Sequence, residues 1–266
     1  MRNSKTAPAS ATVKAGNLPV TPENVGQTST LQRAMLAFRI MDAESDISCF
    51  DGPAGTGKTT ASSLAASQSN RTWRYCTLPL RGNPRDITAT VFEAVTGRAA
   101  RGTEREMRAA LVDRLRDGTI GIIADEVHHV GLPGAQQLRH LWDACAVLGE
   151  PFPLLLIGCG VRVELARADE VRTRVARWVD FDLITDDEDV VALAGALHPR
   201  LAATSEKILV GINERVARRS VRTWSQIGKH IAYLPTTVVG AKKPEPITAA
   251  DVHTLRDLLG IEGIAA

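Results

Sequence analysis

The stretch "DGPAGTGKTTAS", residues 51–62, holds three glycines within six residues, followed by one lysine and two threonines. Glycine adopts backbone conformations that other residues avoid, and it leaves room for backbone N–H groups to surround an anion. The lysine after the last glycine adds a positive charge at the same place. The stretch therefore predicts a loop that binds phosphate groups.

Residues 52–59, called the glycine loop below, match the pattern G-x-x-x-x-G-K-[ST] without a mismatch. The apolar segment "DISCF" precedes the loop, and the helical pattern "KTTASSLAASQS" follows it, so a helix N-terminus faces the phosphates. Lys58 is expected to reach the β- and γ-phosphates, and the Thr59 hydroxyl is expected to bind Mg²⁺. The predicted nucleotide-binding residues here are Gly52, Pro53, Ala54, Gly55, Thr56, Gly57, Lys58, Thr59 and Thr60. Because Thr60 stands where a dinucleotide fingerprint requires its last glycine, that fingerprint is excluded.

A second chemical signal ends the apolar segment "TIGIIADEVHH", residues 119–129. In a parallel sheet, this strand end lies at the same edge as the glycine loop. Asp125 is expected to hold Mg²⁺, and Glu126 is expected to polarise an attacking water molecule. His128 and His129 have no metal-ligand spacing with other histidines or cysteines, and we interpret them as structural.

Strand and helix patterns alternate along the middle of the chain. "TWRYCTLPL", "PFPLLLIG" and "RWVDFDLI" are predicted strands, whereas "PRDITATVFEAVTG", "TEREMRAALVDRLRDG", "GAQQLRHLWDACAVLG" and "RVELARADEVRTRVA" are predicted helices. Thr103 and Glu106 have the spacing of a capping box. The third helix is expected to bury one face, made of Leu138, Leu141, Trp142, Cys145 and Leu148. Strands that are apolar throughout indicate a parallel α/β sheet covered by helices on both faces.

After about residue 185 the strand signal stops and four helical patterns follow. We therefore predict three parts: a flexible basic tail over residues 1–20, an α/β nucleotide-binding core over 21–184, and a helical lid domain with a C-terminal tail over 185–266.

Composition limits the classes of function that remain. Hydrophobic residues make up 44% and charged residues 23%, which is typical of a globular protein, and a net charge of +2 requires any nucleic-acid surface to be local. Aromatic residues are only 4%, which argues against base stacking as the main activity. We interpret the four scattered cysteines as buried, reduced thiols. With no signal-peptide pattern and no apolar run long enough for a membrane span, we expect a cytoplasmic location.

The order of these segments resembles the AAA+ ATPases, and more narrowly the group of MuB-like and TniB-like transposition ATPases with the related ExeA-like proteins. The resemblance runs from about residue 28 to residue 235, and the glycine loop and "ADEVHH" carry it. It implies a P-loop α/β core with a small helical lid, and an ATPase that uses ATP and Mg²⁺. In this role Lys58, Glu126 and an arginine finger would be catalytic.

The resemblance also assigns three weaker positions. The family's sensor residue falls near Cys159, which departs from the usual polar residue. The arginine finger, which reaches a neighbour's γ-phosphate, falls at Arg174, with Arg172 second. A further arginine that faces the nucleotide falls at Arg218 or Arg219, and Arg218 is slightly favoured.

An arginine supplied by a neighbouring chain implies a homo-oligomer, either a ring or a helical filament. The helices after the second strand line the central channel in this family, so the resemblance implies duplex DNA bound without sequence preference and a transposase or integrase as partner. The candidate DNA-binding residues are Arg81, Arg85, Arg98, Arg101 and Arg105. Further basic residues of the lid are Arg200, Lys207, Arg215, Arg218, Arg219, Arg222 and Lys229.

Two other functions remain open. The first is an ATP-fuelled assembly or secretion factor of the ExeA type that acts on proteins rather than on DNA. The second is a small-molecule kinase built on the same loop, which the helical lid and the paired Asp125 and Glu126 disfavour.

Overall fold

The computed structural model describes residues 18–19, 24–149, 151–166, 169–235 and 244–261. The predicted basic tail lies almost wholly outside this range. The strands are β1 (Ile47–Asp51), β2 (Thr72–Thr77), β3 (Ile120–Asp125), β4 (Leu154–Gly158) and β5 (Val175–Asp180). The helices that accompany them are α1 (Ser29–Glu44), α2 (Lys58–Ser67), α3 (Pro84–Thr96), α4 (Glu104–Leu115), α5 (Gly131–Leu148), α6 (Val161–Leu165) and α7 (Asp169–Arg172). The later helices are α8 (Asp187–Leu197), α9 (Pro199–Ala202), α10 (Glu206–Arg215), α11 (Val221–His230) and α12 (Ala249–Leu258).

The five strands form one sheet in the order β2-β3-β4-β1-β5, and every neighbouring pair is parallel. The predicted parallel sheet with helices on both faces is therefore confirmed. β1 lies between β4 and β5, so the connections that follow β1 and β4 leave the sheet in opposite directions. A crevice opens at such a point, beyond the carboxyl ends of the strands. The glycine loop follows β1 directly and lies in this crevice.

Alternating side chains of the strands form two apolar clusters. On β3, Ile122 faces the cluster covered by α3, α4 and α5, whereas Ile123 faces the cluster covered by α1 and α2. On β4, Leu156 and Leu155 divide in the same way. Both sides are buried because the connecting helices cover both faces, which explains why these strands are apolar throughout.

The helices from α8 onward pack around a third cluster, which includes Trp224, Leu209 and Ile212. Arg200, one of the basic residues considered for DNA contact, is buried at 6% exposure and joins this part of the chain internally. Its guanidinium donates to the Glu245 carbonyl at 3.0 Å and pairs with Asp251 at 3.3 Å. Arg200 is therefore structural, because a buried and paired guanidinium cannot reach a phosphate backbone. The predicted boundary between residues 184 and 185 stays a prediction.

Three local predictions were wrong. The helix predicted over "RVELARADEVRTRVA" is broken into α6 and α7, and β5 already begins at Val175. Leu148 is 62% exposed at the end of α5, so it does not belong to the buried face of that helix. Cys159 is exposed after β4, whereas Cys49, Cys76 and Cys145 are buried. The capping box of Thr103 and Glu106 is confirmed.

Among the described helices, none combines the length and the apolar character needed to cross a membrane.

Candidate functional site

The glycine loop turns sharply between β1 and α2. Gly52 has φ +149°, and a Cβ there would lie 2.0 Å from the carbonyl oxygen of Phe181, so only glycine fits beside the end of β5. The Thr56 hydroxyl donates to the Pro53 carbonyl at 2.9 Å and holds the turn together. Gly57 caps α2 in the left-handed region, at φ +96°. The loop therefore presents the N-terminus of α2 to the crevice, where an anion is favoured.

Lys58, the first residue of α2, folds back over the loop. Its Nζ donates to the carbonyls of Gly52 at 2.6 Å and Pro53 at 2.7 Å. Burial lowers the pKa of Lys58, whereas Cys159 and the carboxylate of Asp125 oppose this shift. The two carbonyl oxygens thus hold the ammonium group at the mouth of the loop, and phosphate oxygens can replace them as acceptors.

Asp125, at the end of β3, accepts hydrogen bonds from three neighbours. The Thr59 hydroxyl donates to its Oδ2 at 2.9 Å, the Tyr75 hydroxyl donates to the same oxygen at 2.6 Å, and the Glu126 N–H donates to Oδ1 at 2.7 Å. Burial and the hydrogen bond to Asp125 raise the pKa of Tyr75, which therefore stays a donor. Thr59 and Asp125 place two oxygen ligands side by side, a donor set suited to Mg²⁺.

Sequence analysis did not identify Tyr75 as a partner of Asp125, although its place near the end of a predicted strand could have indicated it. It lies on β2, which pairs with β3 in the register Tyr75 to Ile123. Because the two strands are adjacent and parallel, a residue near the carboxyl end of β2 reaches Asp125 across the sheet edge.

Glu126 begins a tight 3₁₀ turn, Val127–His129, with φ +61° in the left-handed region. Its Oε2 lies 3.4 Å from Nδ1 of His128. The Cys159 N–H donates to the same His128 Nδ1 at 3.3 Å, which joins this turn to the end of β4. The Glu126 side chain is 42% exposed and lines the cavity, so it is accessible to a substrate.

A cavity of about 640 Å³ joins these residues. This volume suits a small-molecule ligand of nucleotide size. The lining from the α/β core includes Asn24, Val25, Gly26, Ala54, Gly55, Gly57, Lys58, Thr59, Thr60, Asp125, Glu126, His128, His129, Gly158 and Cys159. The lining from the later helices includes Leu193, Leu197, Val221, Arg222, Ser225, Gln226 and Lys229.

The N-terminus of α11 closes the cavity over the glycine loop. The Arg222 N–H donates to the Gly55 carbonyl at 2.9 Å, and the Ser220 hydroxyl contacts the same oxygen at 3.3 Å. Gly55 has φ +82°, and a Cβ there would lie 2.9 Å from Ser220 Oγ, so glycine permits this close docking. On the opposite side, the Ser29 hydroxyl donates to Asp189 of α8 at 2.7 Å. These contacts position the helical part against the α/β core.

The structure places a different arginine in the cavity from Arg218, the one slightly favoured by the family resemblance. Arg218 and Arg219 do not line the cavity, and both are exposed in a left-handed turn, at φ +50° and +62°. Arg222 lines the cavity instead, together with Lys229. The helical spacing could have identified Arg222 from the sequence. One face of α11 carries Arg222, Ser225, Gln226 and Lys229, opposite the buried Trp224.

The predicted arginine finger lies elsewhere. Arg174 stands in the short segment between α7 and β5, is half-exposed, and pairs with Asp143 of α5 at 3.3 Å. Arg172 pairs with Asp169 at 2.8 Å. Neither arginine lines the cavity of its own chain.

The five candidate DNA-binding arginines are all exposed, and none of them forms an ion pair within the described part of the chain. They lie on α3, on α4 and in the adjoining loops, and they are Arg81, Arg85, Arg98, Arg101 and Arg105. Arg85 also donates to the Gly102 carbonyl at 3.1 Å, which connects the start of α3 to the loop before α4.

Residues 42–165 match the family model described as an AAA domain. The matched segment contains the glycine loop, the end of β3 and all of β4. The chain has the P-loop AAA+ fold. The AAA+ fold here is similar to that of Thermotoga maritima RuvB, described as a Holliday junction branch migration motor. The TM-score is 0.59 with 18% identity, over 90% of this chain and 71% of that chain.

A second similar structure is the Aeropyrum pernix ORC1 protein in complex with DNA. It has a TM-score of 0.60 and 16% identity, over 90% of this chain and 66% of that chain. Identities this low show a shared AAA+ fold and leave the activity to be argued from the site. No curated protein matches the sequence at a significant level.

Proposed function

We propose that this AAA+ protein binds and hydrolyses ATP, and that it assembles on duplex DNA as a regulator of transposition. The observation that carries the ATPase part is the convergence of Lys58, Thr59, Asp125 and Glu126 on one cavity. Together these side chains would bind phosphate, hold Mg²⁺ and activate water, and a cavity of nucleotide size joins them.

Binding of the triphosphate uses the backbone N–H groups of the glycine loop, the N-terminus of α2 and the ammonium group of Lys58. Lys58 exchanges its bonds to the Gly52 and Pro53 carbonyls for phosphate oxygens. Arg222 approaches the phosphates from the lid. Val25, Leu193 and Leu197 give the cavity an apolar part that suits the planar base.

Thr59 and Asp125 would hold Mg²⁺, and the ion would supply positive charge that neutralises the phosphates. The Tyr75 hydroxyl orients Asp125, since both Tyr75 and Thr59 donate to the same carboxylate oxygen. Glu126 accepts a proton from the attacking water, or polarises that water, at the exposed side of the cavity.

Arg174 supports a head-to-tail homo-oligomer. It does not line its own chain's cavity, it is half-exposed, and its guanidinium pairs with the side chain of Asp143. A neighbouring chain that offered Arg174 to the γ-phosphate would complete the site. Assembly would then depend on ATP.

DNA binding is supported by the exposed arginines of α3, α4 and the adjoining loops, which form no ion pair with any residue that the structure describes. Repeated along an oligomer, such cations track phosphates without reading the bases. RuvB and ORC1, which share the fold, are a branch migration motor and a protein in complex with DNA. The resemblance to MuB-like and TniB-like ATPases suggests that the partner is a transposase or integrase.

The test is retention of the purified protein on immobilised duplex DNA with ATP, with ADP and without nucleotide. We expect retention with ATP alone, a steep loss with rising salt, and persistent retention for Glu126→Gln because hydrolysis no longer ends the assembled state. Lys58→Ala should lose the ATP effect, whereas Arg39→Ala, which is exposed on α1, should keep it. Equal retention in all three nucleotide conditions would contradict the switch. An ATPase that forms oligomers indifferent to DNA would favour the ExeA-type assembly factor.

A further inference from the structure

Glu126, His128 and His129 form a compact group of metal-binding side chains beside the proposed hydrolysis site. One ligand atom from each residue lies within 4.8 Å of the other two. The sequence showed no such site, because the third donor is a carboxylate and not another histidine or cysteine. The 3₁₀ turn brings the three together, with the His129 N–H donating to the Glu126 carbonyl at 2.8 Å.

The geometry of His128 points to a cation. Its Nδ1 accepts the Cys159 N–H at 3.3 Å, so this nitrogen carries a lone pair rather than a proton. The same Nδ1 lies 3.4 Å from Oε2 of Glu126, which is also an acceptor. Two ligand atoms of a tetrahedral zinc ion are about 3.3–3.6 Å apart, since each bond to zinc is about 2.0–2.2 Å long. Nδ1 has a single lone pair, so an ion shared with Glu126 would take the place of the Cys159 N–H on this nitrogen.

The surroundings of His129 support the same conclusion. Its Nδ1 lies 3.4 Å from the Leu78 carbonyl oxygen. When Nδ1–H donates to that carbonyl, Nε2 is left with the lone pair that binds a metal. A carbonyl that orients the second ring nitrogen is the usual partner of a metal-binding histidine.

We propose that Glu126, His128 and His129 form a binding site for Zn²⁺ or a similar divalent transition-metal ion. Two imidazoles and one carboxylate are borderline ligands that favour such ions over Mg²⁺, which prefers oxygen ligands alone. The three side chains line the open cavity, so solvent water can complete the coordination. The site is distinct from the oxygen pair of Thr59 and Asp125.

A metal ion at this site occupies the Glu126 carboxylate. The carboxylate then cannot polarise the attacking water, and hydrolysis is inhibited while ATP binding through Lys58 continues. This inhibitory effect rests on the proposed role of Glu126, whereas metal binding itself does not.

The experiment measures Zn²⁺ binding to the nucleotide-free, full-length protein by calorimetry, with Mg²⁺ in excess. We expect one Zn²⁺ per chain, an affinity at least about tenfold lower in His128→Ala and in His129→Ala, and no change in the control His253→Ala, which is exposed on α12. Cys159→Ser should also bind normally. ATP affinity, measured in the same variants, shows whether the cavity is intact.

Unchanged Zn²⁺ affinity in both histidine variants, or loss of binding in Cys159→Ser, would overturn the assignment. ATP hydrolysis is then measured with and without Zn²⁺. Inhibition that a chelator reverses, and that is lost in His128→Ala, supports the inhibitory role. If Zn²⁺ binds but the protein has no ATPase activity, the proposed function fails and the metal site remains.

Discussion

Asp125 organises the cavity through contacts of single atoms. One of its oxygens accepts both the Thr59 and the Tyr75 hydroxyls, and the other accepts the Glu126 N–H. These bonds fix the direction of the carboxylate. The bond from the Glu126 N–H also fixes the residue that begins the 3₁₀ turn, so Asp125 helps to position Glu126.

Cys159 gives a residue-scale prediction, because it is the exposed thiol of this cavity. Burial raises the pKa of Cys76 to about 12 and that of Cys145 to about 11, and it also raises the pKa of Cys49. A raised pKa keeps these thiols protonated and unreactive at mildly alkaline pH.

We therefore expect a thiol reagent to label one cysteine per folded chain, as counted by mass spectrometry. ATP should slow this labelling, since it occupies the same cavity. Cys159→Ser should leave the folded chain unlabelled and the denatured chain with three labels. Rapid labelling of a second cysteine would contradict the packing described here.

At the scale of elements, helix α11 determines how the lid meets the nucleotide. Its buried side carries Trp224, whose Nε1 donates to Asn213 at 2.9 Å, and this packing directs the polar side into the cavity. The first turn of α11 is bonded to Gly55 of the glycine loop. A phosphate bound at the loop would therefore lie beside the first turn of α11.

Arg222→Ala should weaken ATP binding by about 10- to 100-fold, the range expected for losing a hydrogen bond between two charged groups. Arg218→Ala is the matched control, since Arg218 is exposed and does not line the cavity. Calorimetry with a non-hydrolysable ATP analogue measures both variants. If Arg218→Ala causes the larger loss, the assignment of the lid arginine made from the resemblance is correct and Arg222 is not the phosphate ligand.

At the scale of the whole molecule, the ATP cavity and the proposed finger belong to different parts of the surface. Arg174 is paired with Asp143 of α5, away from the cavity lining. A single chain therefore does not bring this arginine to its own nucleotide. Hydrolysis would require a second chain, which links ATP turnover to assembly.

Arg174→Ala should retain ATP binding but lose hydrolysis by a factor on the order of 10³. Mixing the inactive Arg174→Ala and Glu126→Gln proteins should restore part of the activity, because a Glu126→Gln chain can offer its arginine to a neighbour's intact cavity. ATPase rates of the single and mixed proteins measure this effect. Arg172→Ala is the comparison. Loss of activity in that variant, with Arg174→Ala unaffected, would move the finger to Arg172.

The sequence by itself determined the phosphate-binding loop, the acidic end of β3 and the parallel sheet. These features depend on consecutive residues: glycines that permit the loop, and strands apolar throughout because helices cover both faces. Only the tertiary structure decided that Tyr75 reaches Asp125, that Arg222 rather than Arg218 lines the cavity, and that Cys159 is exposed. Those outcomes depend on strand adjacency and on how α11 docks against the loop, and chain segments far apart in sequence fix both.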